Sequence, residues 1–169
     1  MTVLTLIGGA VGIVALAAVG SLLLPRHVHV EREATLSGSA EAVLALAASN
    51  TGYQRFNPYL RSDPALKIAQ FGPDSGVGSG FSFDGKGGKG TQVVAEVSDA
   101  AVRFDIDLGP MGTPVQTIAA IPVATGTKVT WSMDADMGFN PIARVMGLFM
   151  DGMIGKTFEQ GLGNLAAEI

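Results

Sequence analysis

The stretch NPIARVMGLFMDGMIGKTFEQGLGNLAAEI, residues 140–169, decides how the chain folds. Asn140 can cap a helix with its side-chain oxygen, and Pro141 takes the first helical position, where a missing N–H costs nothing. From there Ile142, Met146, Phe149 and Met153 recur at three- and four-residue spacing, and Ile154, Phe158, Leu162, Leu165 and Ile169 carry the apolar stripe to the end. The pattern predicts one long helix with a buried face. Val145, Leu148 and Met150 make its first half apolar on neighbouring sides as well, while Lys156, Glu159 and Glu168 keep the second half amphipathic. Gly147, Gly152, Gly155, Gly161 and Gly163 each cost a helix about 1 kcal/mol relative to alanine, so packing has to compensate.

The residues before this helix alternate with period two. Short runs at Leu66–Phe71, Gly80–Asp84, Thr91–Ser98, Val102–Leu108, Val115–Val123 and Thr127–Met137 are separated by glycine or proline, the spacing of an antiparallel meander. In the fourth run Val102, Phe104, Ile106 and Leu108 oppose Arg103, Asp105 and Asp107; in the last, Val129, Trp131 and Met133 oppose Lys128, Thr130, Ser132 and Asp134. One sheet face is wet, and the C-terminal helix is the apolar element long enough to cover the other. Upstream, His27–Leu36 reads as a first strand. Ser39 caps a short helix from about Ala40 to Ser49, which Asn50-Thr51-Gly52 ends, and Tyr53–Leu60 forms a second helical turn and a bend around Asn57-Pro58. The fold class is therefore α+β, a curved antiparallel sheet around a long C-terminal helix.

Val3–Leu24 is a nearly unbroken apolar run, about 20 residues long, which suits a bilayer-spanning helix. No Lys or Arg precedes it and no small-x-small cleavage site follows, so it reads as an uncleaved anchor rather than a signal peptide. Residues 1–25 are then the membrane anchor and 26–169 the globular domain. Arg26 and Arg32 follow the run, which biases the domain toward the cytoplasmic side. Gly8 and Gly12 form a small-xxx-small pair on which two such helices could pack as a homodimer.

Composition narrows the function. The 169 residues carry a net charge of -4 with only 15% charged and 47% hydrophobic residues, which argues against a nucleic-acid partner. There is no cysteine, so disulfides and thiolate chemistry are excluded, and both histidines, His27 and His29, lie in the first strand, away from the main body.

Several motifs together resemble the polyketide cyclase/dehydrase branch of the START-like (SRPBCC) superfamily. They are Ser39-Ala40-Glu41-Ala42-Val43, Asn57-Pro58-Tyr59 with Asp63-Pro64, Gly72-Pro73 before Gly76-Val77-Gly78-Ser79, Gly126-Thr127-Lys128-Val129-Thr130-Trp131, and Phe158-Glu159-Gln160-Gly161-Leu162-Gly163-Asn164-Leu165. The resemblance spans His27 to the end. It implies the helix-grip fold, a deep apolar cavity between sheet and long helix, and binding or transport of a hydrophobic ligand. The chain departs from similar proteins in lacking tryptophan near Asn57 and Phe83, and in placing Gly38-Ser39 where the turn proline usually stands.

Gly85-Lys86-Gly87-Gly88-Lys89-Gly90 matches the dinucleotide fingerprint in letters, but a strand rather than a helix N-terminus follows it, so it reads as a hairpin loop. The pairs Asp105/Asp107 and Asp134/Asp136 each fall on one strand face, the one opposite Phe104 and Trp131, and read as a solvated surface rather than a metal or acid/base site. Glu96 and Arg103 suit a cross-strand pair. Phe56, Tyr59, Phe81, Phe83, Phe104, Trp131, Met133, Met146, Phe149, Met150 and Met153 fall on inward faces, and this set can form either a packed core or the lining of a site for a lipid or polyketide-like molecule. The resemblance favours the cavity, with Tyr59, Arg61 and Thr130 as the polar groups to orient a ligand. No catalytic residue, cofactor or metal is assigned. The leading expectation is a membrane-anchored domain binding a hydrophobic small molecule; the alternatives are a cyclase or dehydratase in which Tyr59 or a buried carboxylate moves a proton, and a structural or stress-related protein with a filled core.

Overall fold

The computed structural model describes residues 20–169. The expected anchor lies, up to residue 19, outside the described residues, and among the described residues no helix is long and apolar enough to cross a membrane. The elements run β1 (His27–Leu36), α1 (Ala40–Ala48), α2 (Asn50–Phe56), α3 (Tyr59–Ser62), β2 (Lys67–Phe71), β3 (Gly80–Gly85), β4 (Gly88–Val97), β5 (Ala101–Asp107), β6 (Val115–Val123), β7 (Gly126–Asp136) and α4 (Pro141–Ala166). The strands form one antiparallel sheet in the order β1-β7-β6-β5-β4-β3-β2, so the first strand pairs with the last and β2 closes the far edge. The α+β class follows from the two periodicities, and the layout is the helix-grip fold that the family resemblance implies.

Alternation places the core. Val102, Phe104 and Ile106 on β5, Ile118 and Ala120 on β6, and Val129, Trp131 and Met133 on β7 are buried on one face. The other face is wet and paired: Arg103 meets Glu96 at 3.5 Å and also Asp105, Arg26 meets Asp136 at 2.6 Å, and His29 meets Asp134 at 2.7 Å. Among the described residues no cluster of His, Asp and Glu could hold a metal.

Two local readings need correction. Asn50-Thr51-Gly52 does not end the helical region, because Ser49 both terminates α1 and caps α2, its hydroxyl accepting from Gly52 N at 3.2 Å. The helix expected to cover the sheet alone shares that task with α1 and α2, whose Val43, Leu44, Ala47, Tyr53 and Phe56 enter the same core.

The larger correction concerns α4. It lies along the edge strand β1, and only its second half contributes the fully buried Phe158 and Leu165 and the nearly buried Leu162. Phe158 stacks on Trp131 with ring centroids 5.0 Å apart, and a Cβ at Gly161 would strike the same indole. Toward the N-terminus the sheet-facing row is small or polar. A Cβ at Gly155 would collide with the Arg32 guanidinium, and one at Gly147 would come within 2.9 Å of Val28 Cγ2. Arg32, on the inward side of β1, fills the space Gly155 leaves and bonds Asp151 Oδ1 at 2.9 Å and Glu159 Oε1 at 2.8 Å. The Asp151 carboxyl is held below its usual range, chiefly by those hydrogen bonds from Arg32. Met146, Phe149 and Met153 consequently lie outside, 50%, 59% and 60% exposed, and Met150 packs at the core margin. From Phe149 to Phe158 is nine residues, about two and a half turns, so the two phenylalanines point in opposite directions.

Two outcomes follow. Phe158→Ala should cost about 3–5 kcal/mol in urea unfolding as a core truncation, whereas Phe149→Ser should change stability by less than about 0.5 kcal/mol. A depressed carboxyl contributes stability above its unfolded pKa of about 3.9 and loses it as pH falls through the folded value. Arg32→Met should therefore lower stability at neutral pH and make the acid-side decline below about pH 4 shallower than in the parent, as seen in urea midpoints across pH 2–7.

Candidate functional site: a polar-tipped void under the aromatic core

Aromatic rings make up the centre of the interior. Tyr53 of α2 is 3% exposed and touches Phe56 at 5.0 Å, Phe81 at 5.5 Å, Phe104 at 5.6 Å and Trp131 at 6.1 Å between centroids. The sequence-expected residues Phe56, Phe81, Phe104, Trp131 and Met133 are thus brought together and buried, and Phe83, partly buried, stands beside Phe81 at 6.3 Å. The other expected members are not in this group. Met146, Phe149 and Met153 face outward, Tyr59 is 38% exposed, and Arg61 is exposed. Thr130 sits on the outer face of β7, as the alternation with buried Val129 and Trp131 requires, and so cannot orient a ligand inside.

Sequence reasoning missed the polar members. Gln92 and Gln116 are each 5% exposed on the inward face, in register with apolar neighbours. Gln116 accepts from Trp131 Nε1 at 3.1 Å and so satisfies the indole. The Gln92 Nε2 has no hydrogen-bond partner, nor does the hydroxyl of Ser79, which is 1% exposed; outside this group the Gln54 Nε2 is likewise unpartnered. Burial holds the Tyr53 phenol above its ordinary pKa, so at neutral pH it is a hydrogen-bond donor and not a base. The signal was available in the period-two pattern: a glutamine at an inward position of a strand that otherwise turns Val94 inward.

These donors surround a void of about 10 Å³, bounded by Ala47, Tyr53, Ser79, Phe81, Gln92 and Phe104. That is room for about one water molecule. The void lies between α1–α2 and β3–β5, not between the sheet and α4, so the expected cavity under the C-terminal helix is displaced to the other flank. The reason is the close seating of α4, which meets Val28 and Arg32 of β1 and the Trp131 ring directly at Gly147, Gly155 and Gly161. The connection from Gly72 to Ser79 crosses the outer end of the void. It is laced down by Asn50 Nδ2 to Phe71 O at 3.0 Å, Asn50 N to Asp74 O at 3.0 Å and Gly76 N to Ala48 O at 3.0 Å. Gly72, Gly76 and Gly78 all adopt positive φ there, which only glycine takes readily. On the neighbouring hairpin Gly85 pairs with Gly88 across a tight turn, so the letters of the dinucleotide fingerprint sit in strand and turn with no helix behind them.

The family described as polyketide cyclase/dehydrase and lipid transport matches residues 27–169. The chain belongs to this family. Its fold is shared with protein CV1439 of Chromobacterium violaceum, at 16% identity and TM-score 0.60 over 83% of this chain and 96% of that one. Norcoclaurine synthase of Thalictrum flavum, solved with dopamine and hydroxybenzaldehyde, matches at 14% identity and TM-score 0.61, over 84% and 87% of the two chains. The di-domain aromatase/cyclase StfQ of steffimycin biosynthesis matches at 9% identity and TM-score 0.61, with 83% of this chain and 50% of that one covered. At these identities the likeness is one of fold. Among curated proteins none matches this sequence.

A buried hydroxyl without a partner costs stability, so Ser79→Ala should raise the unfolding free energy by about 1 kcal/mol in urea, the opposite of an ordinary core truncation.

Proposed function

We propose that the domain binds a small, mainly apolar molecule that carries an oxygen acceptor, holding its ring or chain among Tyr53, Phe81 and Phe104 and its oxygen at Ser79, Gln92 and Tyr53. The observation that carries this reading is the pair of fully buried donors, Ser79 Oγ and Gln92 Nε2, that face a void with nothing bonded to them. Proteins seldom leave such groups unpaired, and each orphan is a cost that binding an acceptor would offset. The family's description as lipid transport, and the hydroxybenzaldehyde in the norcoclaurine synthase structure, fit a ligand of this chemistry. No proton transfer is needed: the one deeply placed carboxylate of the expected kind, Asp63, is occupied by Lys86 N at 2.7 Å and Ala65 N at 3.2 Å. Entry requires the Gly72–Ser79 connection to move off α1 and α2, since about 10 Å³ admits no organic molecule. The domain would work tethered to a membrane by the apolar run of residues 3–24, which supplies a lipid phase from which an apolar ligand partitions.

A filled core is the second reading, and the size of the void favours it. Native mass spectrometry and solvent extraction of the full-length chain from detergent separate the two. An apolar compound should co-purify with the parent and be depleted in a Ser79→Ala/Gln92→Leu variant that still unfolds cooperatively. A parent chain that emerges empty, and stays so after incubation with fatty acids and aromatic aldehydes, overturns the ligand-binding reading in favour of a solid core.

A further inference from the structure

The first half of α4 is built inside out. Its sheet-facing row is Arg144, Gly147, Asp151 and Gly155, while Ile142, Met146, Phe149 and Met153 face away from the protein. Val145 and Leu148 widen that outward stripe, and Phe139, just before the helix begins, is 76% exposed. Single exposed apolar residues are ordinary, but a continuous stripe over more than three turns is not.

The chain itself indicates what meets the stripe. Arg144 is only 7% exposed; its Nε donates to Gly138 O at 2.8 Å, and its Nη1 donates to Leu24 O at 3.1 Å and to Leu22 O. Met137 N donates to Arg26 O at 2.8 Å, and Phe139 lies between the Arg26 and Arg144 guanidinium groups, 5.3 and 5.8 Å from its centroid. The end of the apolar run is thereby fixed to the start of α4, and Leu23 between the two bonded carbonyls is 89% exposed. The run Val3–Leu24 contains no Asp, Glu, Lys or Arg. A segment apolar at nearly every position needs apolar surroundings all round, which one helix face cannot supply.

We propose that the outward face of α4, from Phe139 to Met153 together with Leu23, seats in the interfacial layer of the bilayer that the apolar run enters. The face then lies in the membrane plane in the manner of an interfacial amphipathic helix. Its charges are already matched within the domain, Arg26 by Asp136 and Arg32 by Asp151. Docking is therefore driven by apolar area and depends little on anionic lipid or on salt. The inference rests on the membrane-tethered part of the reading above and is independent of the ligand.

The chain has no cysteine, so single substitutions Ile142→Cys, Phe149→Cys and Met153→Cys, with Asp99→Cys at the β4–β5 turn as control, each accept one fluorophore. The full-length proteins are reconstituted in phosphatidylcholine vesicles containing acyl-chain-brominated lipid. The three α4 labels should lose most of their emission to bromine quenching and the Asp99 label none, with no change on adding phosphatidylserine or high salt. Labels that stay in water overturn the proposal. So do labels that are blue-shifted but unquenched, because the face is then covered by residues 1–19 or by a second copy. Sedimentation of the same vesicles reports the tether separately: protein that sediments with its α4 labels unquenched keeps the tether and loses the docking face.

Discussion

Gly161 meets the Trp131 ring with no side chain between them, and Phe158, one turn earlier, stacks flat on the same indole at an interplanar angle of 13°. Most of the molecule depends on this contact. An α-helix advances about 100° per residue, so once the second half of α4 is set against β7, the direction of every side chain in the first half is determined. Gly155 and Gly147 then fall on β1, Arg32 rises into the space left by the first and Val28 against the second. The apolar row beginning at Ile142 can only face outward. The glycines that cost helix propensity are the ones that let the backbone lie this close, and the stacked aromatic pair is worth more than its area alone.

The sheet was legible because its signal is local. Alternation over five to ten residues states which side chains go in, and β5 and β7 follow it residue by residue. The helix was legible in its extent but not in its orientation. Two stripes were read as one: Ile142, Met146, Phe149 and Met153 define one face, and continued at the same spacing they run into Lys156, Thr157 and Gln160. Phe158, Leu162 and Leu165, traced backward, run into Gly155, Asp151, Gly147 and Arg144. The phase break at Met153-Ile154 was present in the letters. What was absent was the identity of the partner for each face, because Arg32 lies more than a hundred residues away and an arginine beside an apolar run reads first as a topology signal.

The candidate site divides in the same way. Its aromatic wall follows from inward positions that period two assigns, whereas its polar tip comes from Ser79 and Gln92, brought together by strand pairing between β3 and β4 and by the turn that precedes them. Loop residues carry no periodicity, so Ser79 could not be assigned a side before the fold was known. Tyr53 is hidden for a related reason: a helical turn and a bend over Tyr53–Leu60 are too short to give its ring a direction, which the helix Asn50–Phe56 does.

The two distinctive features sit on opposite flanks and answer to different physics. The void lies between α1–α2 and β3–β5, closed by a connection held through a few backbone hydrogen bonds, each worth about 0.5–1.5 kcal/mol net. The outward face of α4 lies on the β1 edge, where close packing on glycine and an ionic clamp leave no room to open. If the domain binds a ligand as proposed, the motion that admits it would be concentrated at Gly72–Ser79, where three glycines take positive φ. The rigid flank is free to act as the fixed attachment. A domain held to a bilayer along β1 and α4 would keep the Gly72–Ser79 connection clear of that contact, so that attachment and entry do not compete for the same surface.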